Sequence, residues 1–140
     1  MTRTGSSWIL VLGVCMLVGC FEDAGIEVSG HVRDLKARPL EGVRIEIYGP
    51  LGASASADQK TIDDTISLPD GCFDASGTHL AGHGLRLRVT KTGYRPYTVD
   101  LRSGIYTNDV VLAPVDSVGV SSGELKPHDP KFNGRAPCQR

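Results

Sequence analysis

Four cysteines and four histidines are the side chains best suited to chemistry in this 140-residue chain, and their spacing limits what that chemistry is. Cys72, His79 and His83 can be written as a metal set, since thiolate and imidazole suit zinc. His79 and His83 are four residues apart, a spacing that aligns ligands on a helix, and Gly77, Gly82 and Gly84 disfavour a helix there. Three loop ligands are what remains of that set, so no metal and no cofactor is expected. Asp58, Asp63, Asp64 and Asp70 offer hard oxygens, but no interval among them matches a calcium loop, and they read as solvated turn residues. No serine stands in a nucleophile-elbow context. His31 lies on an alternating stretch, on the same side as Ser29 and Arg33. Arg86, Arg88 and Arg102 form a basic stripe with Lys91 and Arg95 near one end. Asp100 and Glu46 are available as counter-charges, which makes a solvated outer face the plain reading.

The elements that must position these residues are strands. Ile26, Val28 and Val32 alternate with polar residues, and after a turn containing Lys36, Arg38 and Pro39 so do Val43, Ile45 and Ile47. A period of two means one wet face and one buried face, and we read Ile26 to Gly49 as a strand pair. Pro50 to Lys60 is a loop, Thr65 to Leu68 a brief strand, Pro69-Asp70-Gly71 a turn, and Cys72-Phe73-Asp74 a resumption of pairing. Ala75 to Gly84 is a second loop. Leu85, Leu87 and Val89 mark a strand, as do Tyr97, Val99 and Leu101 after the Thr92 to Pro96 turn. Asn108 to Ala113 is the last strand, closed by Pro114. About seven short strands with turns between them call for an antiparallel sandwich. The net charge of −1 excludes nucleic acid as a main partner, because phosphate binding calls for a basic excess.

The amino terminus has a different character. Trp8 to Val18 is apolar except for Gly13 and follows a short segment carrying Arg3. It is shorter than the roughly 20 residues needed to span a bilayer and has the layout of a secretory signal helix. The run ends Leu17-Val18-Gly19-Cys20, which resembles the lipobox of bacterial lipoproteins. That resemblance implies that residues 1–19 are removed, that Cys20 is alkylated by diacylglycerol, and that acyl chains then hold the protein on a membrane. Phe21 after the cysteine implies sorting to the outer membrane, on its periplasmic face or at the cell surface. With Cys15 leaving in the signal and Cys20 taken by lipid, Cys72 and Cys138 are the thiols left in an oxidising compartment, and an even remainder invites a disulfide. The alternative is two independent thiols, with Cys72 half-buried beside Phe73.

Within the folded part, Gly30-His31-Val32-Arg33-Asp34, Pro39-Leu40-Glu41-Gly42-Val43, Asp70-Gly71-Cys72-Phe73 and Lys91-Thr92-Gly93-Tyr94 occur in order. Together they resemble the carboxypeptidase regulatory-like domain, a transthyretin-like (prealbumin-like, Ig-like) sandwich. The resemblance implies an all-β fold of seven antiparallel strands over residues 26–114, after a short lipidated tether at 20–25 and before a Gly/Pro/Ser-rich tail at 115–140. Gly42, Gly71 and Gly93 stand where turns call for positive φ, and Phe73 and Tyr94 read as core aromatics.

Such domains commonly support or present other modules, so the expectation is a chain that is not an enzyme and has no catalytic residues. Its partners would be the membrane, through the lipid, and an envelope protein or polysaccharide. A sister branch of the fold, the hydroxyisourate hydrolases, carries a catalytic histidine in a His-Val-x-Asp strand, and His31-Val32-Arg33-Asp34 matches it. The rest of that site is missing. Cys72 stands where an arginine belongs, Asn108 and Asp109 where a second histidine belongs, and the chain ends Pro137-Cys138-Gln139-Arg140 instead of Tyr-Arg-Gly-Ser. A His31 hydrolase and a metal-binding loop module are the alternative readings.

Overall fold

The apolar members of each alternating run point inward, onto a core shared by two sheets. The structure is a computed structural model that describes residues 23–51, 60–80, 82–128 and 138. In chain order the strands are β1 (Asp23–Asp34), β2 (Arg44–Leu51), β3 (Lys60–Ile66), β4 (Cys72–Leu80), β5 (Gly84–Thr90), β6 (Tyr97–Leu101), β7 (Gly104–Leu112) and β8 (Ser122–Pro127). They form two four-stranded sheets, ordered β4-β1-β7-β8 and β3-β2-β5-β6. Val28, Val32, Phe73, Val110 and Leu112 of the first sheet meet Ile45, Ile47, Leu85, Leu87 and Val89 of the second, all buried. Each fully buried side chain of this size contributes roughly 1.5–3 kcal/mol. Tyr94 packs partly buried against that core.

The chain is all-β, but three details differ from the sequence expectation. Among the described residues there are eight strands instead of seven. The extra one, β8, has an exposed polar surface and pairs along β7 as an edge, so it carries almost no apolar alternation to betray it. The sandwich is not purely antiparallel either, because β1 and β7 run parallel, with Val28 opposite Tyr106 and Val32 opposite Val110. Finally, the opening strands β1 and β2 are not hydrogen-bonded neighbours. They belong to different sheets and face each other across the core. An apolar stripe on each strand says which face is buried but is silent on whether its neighbour lies beside it or opposite it.

The connection from β1 to β2 is organised by Asp34. Its carboxylate accepts from the backbone N–H of Lys36 at 2.8 Å and of Arg38 at 2.9 Å, and from Arg38 Nε at 2.7 Å. These bonds, led by that from the Arg38 N–H, hold the carboxyl below its ordinary value of 3.8. On the opposite turn, Gly71 has φ of 81°, and a Cβ there would come within 2.4 Å of the Val32 carbonyl, so only glycine lets that turn lie against β1. The strand expected at Thr65 to Leu68 is the end of a longer β3, and the expected loop at Ala75 to Gly84 is strand through Leu80. Gly77 permits this, since a Cβ would meet Ile62 Cγ2 at 2.3 Å.

No helix among the described residues is long and apolar enough to cross a membrane. The signal helix expected over residues 1–19, with its lipobox residues Leu17, Val18 and Gly19, and the acceptor Cys20 lie outside the described residues, as do residues 52–59 of the first loop and, apart from Cys138, the tail after His128.

Candidate functional site

One row of side chains crosses the outer face of the first sheet. In β4, Phe73 and Ala75 are buried among the core residues, so Cys72, two residues before Asp74 and in phase with it, emerges on the other face. Directly opposite it on β1 is His31. On the far side of His31 is Asp109 of β7, brought there by the parallel pairing. Asp109 in turn stands opposite Glu124 of β8, which pairs with Lys126 at 2.8 Å. The register of two strand pairs thus lines up sulfur, imidazole and carboxylate side by side.

The geometry within the row is close. Cys72 and Cys138 are joined as a disulfide. Cys72 lies outward yet is only 3% exposed, because Cys138 returns over it, while Cys138 itself is half-buried. His31 Nε2 is 3.4 Å from Cys72 Sγ. A disulfide sulfur carries no hydrogen, so in this contact Nε2–H is the donor. The other ring nitrogen, Nδ1, is 3.6 Å from Asp109 Oδ1, and the same oxygen accepts from the His31 backbone N–H at 3.2 Å. The imidazole is therefore held between a sulfur and a carboxylate, with 29% of its side chain exposed against 75% for Asp109. Cys138 Sγ also lies 3.2 Å from the Gly30 carbonyl oxygen. Gly30 is obligatory for another reason: a Cβ there would collide with the Asn108 carbonyl oxygen, so its lack of a side chain is what lets β7 lie close enough to carry Asp109 to His31.

One ligand from each of His31, Cys72 and Cys138 falls within 4.8 Å of the others. Two thiolates and an imidazole suit zinc, but two sulfurs bonded to each other are not thiolates, so these donors fit a metal only after two-electron reduction. The metal set considered from sequence does not assemble. His79 pairs with Ala24 near the start of β1, seven residues along β4 from Cys72, or roughly 23 Å at strand rise. His79 and His83 line a cleft of about 360 Å³ with Asp23, Lys60, Ile62 and Thr78, and His79 Nε2 is 3.2 Å from Ser103 Oγ.

Two of the three arginines in the stripe are compensated. Arg86 pairs with Asp100 at 2.7 Å, and Arg88 pairs with Glu46 at 2.9 Å while lying 5.3 Å from the Tyr48 ring centre. Arg44 adds bonds to Asp64 and Glu46. Asp74, on the disulfide's strand and face, has its carboxyl pushed up by burial and then by the neighbouring Asp63. Asp109 is the site residue that sequence reasoning did not credit. In the sequence it stands only where a second histidine is absent, and nothing short of the β1–β7 pairing relates it to His31.

No protein-family model matches the chain, and no curated protein matches it. Solved structures do. The 5-hydroxyisourate hydrolase of Klebsiella pneumoniae is 17% identical, with a TM-score of 0.51 over 70% of this chain and 95% of that one. A 3-chlorocatechol 1,2-dioxygenase from Rhodococcus opacus 1CP is 12% identical, with a TM-score of 0.49 over 69% of this chain and 62% of that one. A catechol 1,2-dioxygenase from Pseudomonas arvilla C-1 is 11% identical, with a TM-score of 0.47 over 72% of this chain and 56% of that one. This chain thus spans less than two thirds of either dioxygenase. The hydrolase likeness shows a transthyretin-like sandwich. It also corrects the expectation that the chain is not an enzyme: the Klebsiella protein with this fold is a hydrolase, so the sandwich gives no ground for denying catalysis.

Proposed function

We propose that the chain is an envelope lipoprotein, acylated at Cys20 and held on the outer membrane, whose carboxypeptidase regulatory-like sandwich docks an envelope protein at the end remote from the lipid. β1 begins at Asp23, so two residues separate Cys20 from the sheet, a reach of roughly 10 Å. The start of β1, with the ends of β4 and β6, then lies next to the head groups, and β1, β5 and β7 carry the chain away from them.

The carrying observation is where apolar surface is exposed. Of the large apolar side chains exposed among the described residues, Leu35, Ile66, Leu68, Val115, Val118 and Val120 sit at the far end, and Ile105 is the exception. Leu35 packs at Gly119, between Val118 and Val120, so at least this part of the surface is continuous. Aliphatic side chains concentrated at one end suit a protein surface. The test is crosslinking of the lipidated protein in its own envelope, with a Val118→Asp/Val120→Asp variant beside it. Loss of the crosslinked partner with the fold intact supports the docking end, and unchanged capture overturns it. Mass spectrometry of the mature amino terminus checks the anchor, which an unacylated Cys20 would refute.

A second reading, ureide ring opening with His31 as general base, is favoured by the fold shared with the Klebsiella hydrolase and by the Asp109 carboxylate at Nδ1. It is the weaker of the two because Nε2 is engaged with sulfur. An assay of ring opening with His31→Ala as control decides it: no turnover by the wild type removes this reading.

A further inference from the structure

We propose that the Cys72–Cys138 disulfide is an exchange site that accepts electrons from a protein dithiol, with Cys138 as the sulfur attacked, Cys72 as the leaving group and His31 as its proton donor. Disulfide exchange is an in-line displacement, and which sulfur is attacked depends on access. Cys72 is 3% exposed beneath its partner, whereas Cys138 is half-buried on the outside of the sheet. An incoming thiolate therefore meets Cys138 first, and the electron pair of the broken bond goes to Cys72 Sγ.

That atom is where the site is prepared. His31 Nε2–H points at Cys72 Sγ from 3.4 Å. In its imidazolium form the ring also directs Nδ1–H at Asp109, whose Oδ1 is 3.6 Å away and is itself fixed by the His31 backbone N–H. A cation beside a sulfur stabilises the thiolate, and a better leaving group leaves faster. Among the described residues Cys138 has no side-chain donor in hydrogen-bond contact, and its sulfur faces the Gly30 carbonyl oxygen, a group that accepts hydrogen bonds and does not favour negative charge. The asymmetry of the two environments agrees with the asymmetry of exposure.

The step balances as follows. The attacking thiolate forms a bond to Cys138 Sγ, the Cys138–Cys72 bond breaks, and the proton on His31 Nε2 passes to Cys72 Sγ, leaving a neutral ring against Asp109. The second thiolate of the dithiol then attacks its own sulfur in the mixed disulfide and releases Cys138 as thiolate, which takes up a proton from solvent. Two electrons have passed from the dithiol to the cysteine pair, while the protons have come from His31 and from solvent, and solvent reprotonates His31 to close the cycle. Asp109 acts only through His31 and is a positioning residue. The chemistry does not depend on the lipid anchor or on the docking end, so its failure leaves that reading untouched.

The experiment treats the full chain, extracted with detergent, with excess glutathione, quenches with acid and maps the adduct by peptide mass spectrometry. Glutathione is expected on Cys138 in excess over Cys72 by about tenfold or more. His31→Gln, which keeps an N–H donor but cannot deliver a proton, is expected to slow adduct formation about tenfold, and Asp109→Asn by less, with far-UV circular dichroism unchanged. An adduct mainly on Cys72, or equal amounts on both sulfurs, overturns the proposal. So does a folded His31→Gln protein that reacts at the wild-type rate. The adduct position is read on the wild type, so the test stands even where a variant fails to fold.

Discussion

Breaking the bond between Cys72 and Cys138 is expected to cost the sandwich about 4 kcal/mol. The two residues are 66 apart in sequence. In the chain-entropy treatment, removing a closed loop of that size from the unfolded ensemble restores freedom worth about 4 kcal/mol at 25 °C. Native contacts change little by comparison. β8 still pairs with β7, from Val111 opposite Ser122 to Tyr106 opposite Pro127, so the sheet edge keeps its partner. Cys138→Ser is the cleaner variant, because serine at the buried position 72 would add a hydroxyl needing its own partner. For a domain of about 100 residues, a loss of this size lowers the melting temperature by about 15–20 °C. The assay is urea unfolding of the wild type, the wild type kept reduced, and Cys138→Ser, followed by far-UV circular dichroism. The reduced protein and the variant should agree with each other and fall short of the oxidised protein by the stated amount. A difference below about 1 kcal/mol would mean that the crosslink does not stabilise through the unfolded chain.

Other substitutions follow from particular contacts. Asn108 is fully buried with both side-chain amide atoms lacking a protein partner, so Asn108→Leu, nearly equal in shape, should stabilise the fold by about 1–2 kcal/mol in urea unfolding. Gly71 and Gly93 both have positive φ, but a Cβ at Gly71 meets the Val32 carbonyl whereas at Gly93 nothing lies within 4 Å. Gly93→Ala should therefore cost about 1 kcal/mol and Gly71→Ala clearly more, and equal losses would contradict the contact. The Asp34 carboxyl is depressed, chiefly by the Arg38 backbone N–H, so its contribution is fully present above the ordinary carboxylate value of 3.8 and is lost as pH falls through the lower folded value. The stability gap between wild type and Asp34→Asn should therefore be widest near neutral pH and close in acid.

The parts of the fold legible in the sequence were those where an apolar stripe is strong and local. Leu85, Leu87 and Val89 announce β5, and Val43, Ile45 and Ile47 announce β2, because each alternates within a few residues and each is fully buried or nearly so. β8 was not legible. Of its side chains Leu125 is the one packed on the core, and Gly123, Glu124, Lys126 and Pro127 look like tail. The first part of β7, before Asn108, was hidden by Gly104 and by polar Thr107, and the second half of β4 by Ser76 and Gly77, where small size serves the close approach of Ile62. His31 was visible as a motif, and Cys72 and Cys138 as leftover thiols. Their meeting with Asp109 was not, since it depends on the register of an antiparallel and a parallel pairing at once, and no spacing along the chain records that.

The same registers make the two ends of the molecule chemically unequal. β1 starts three residues after Cys20 and reaches His31 near its other end, roughly 26 Å along the strand. If the lipid holds the first end, the sulfur–imidazole–carboxylate row and the exposed aliphatic side chains both fall in the outer half, within reach of other envelope proteins and out of reach of the head groups. A protein that docked on Val118 and Val120 would sit at the turn joining β7 to β8, and the row begins two strands away from that turn, with Asp109 on β7 itself. A dithiol carried by such a partner would need to extend only along one sheet face to meet Cys138. Docking and exchange are separable in the tests above, yet their placement at one end is what a single partner serving both would require. An anchor at Cys20 is what would keep that end turned outward.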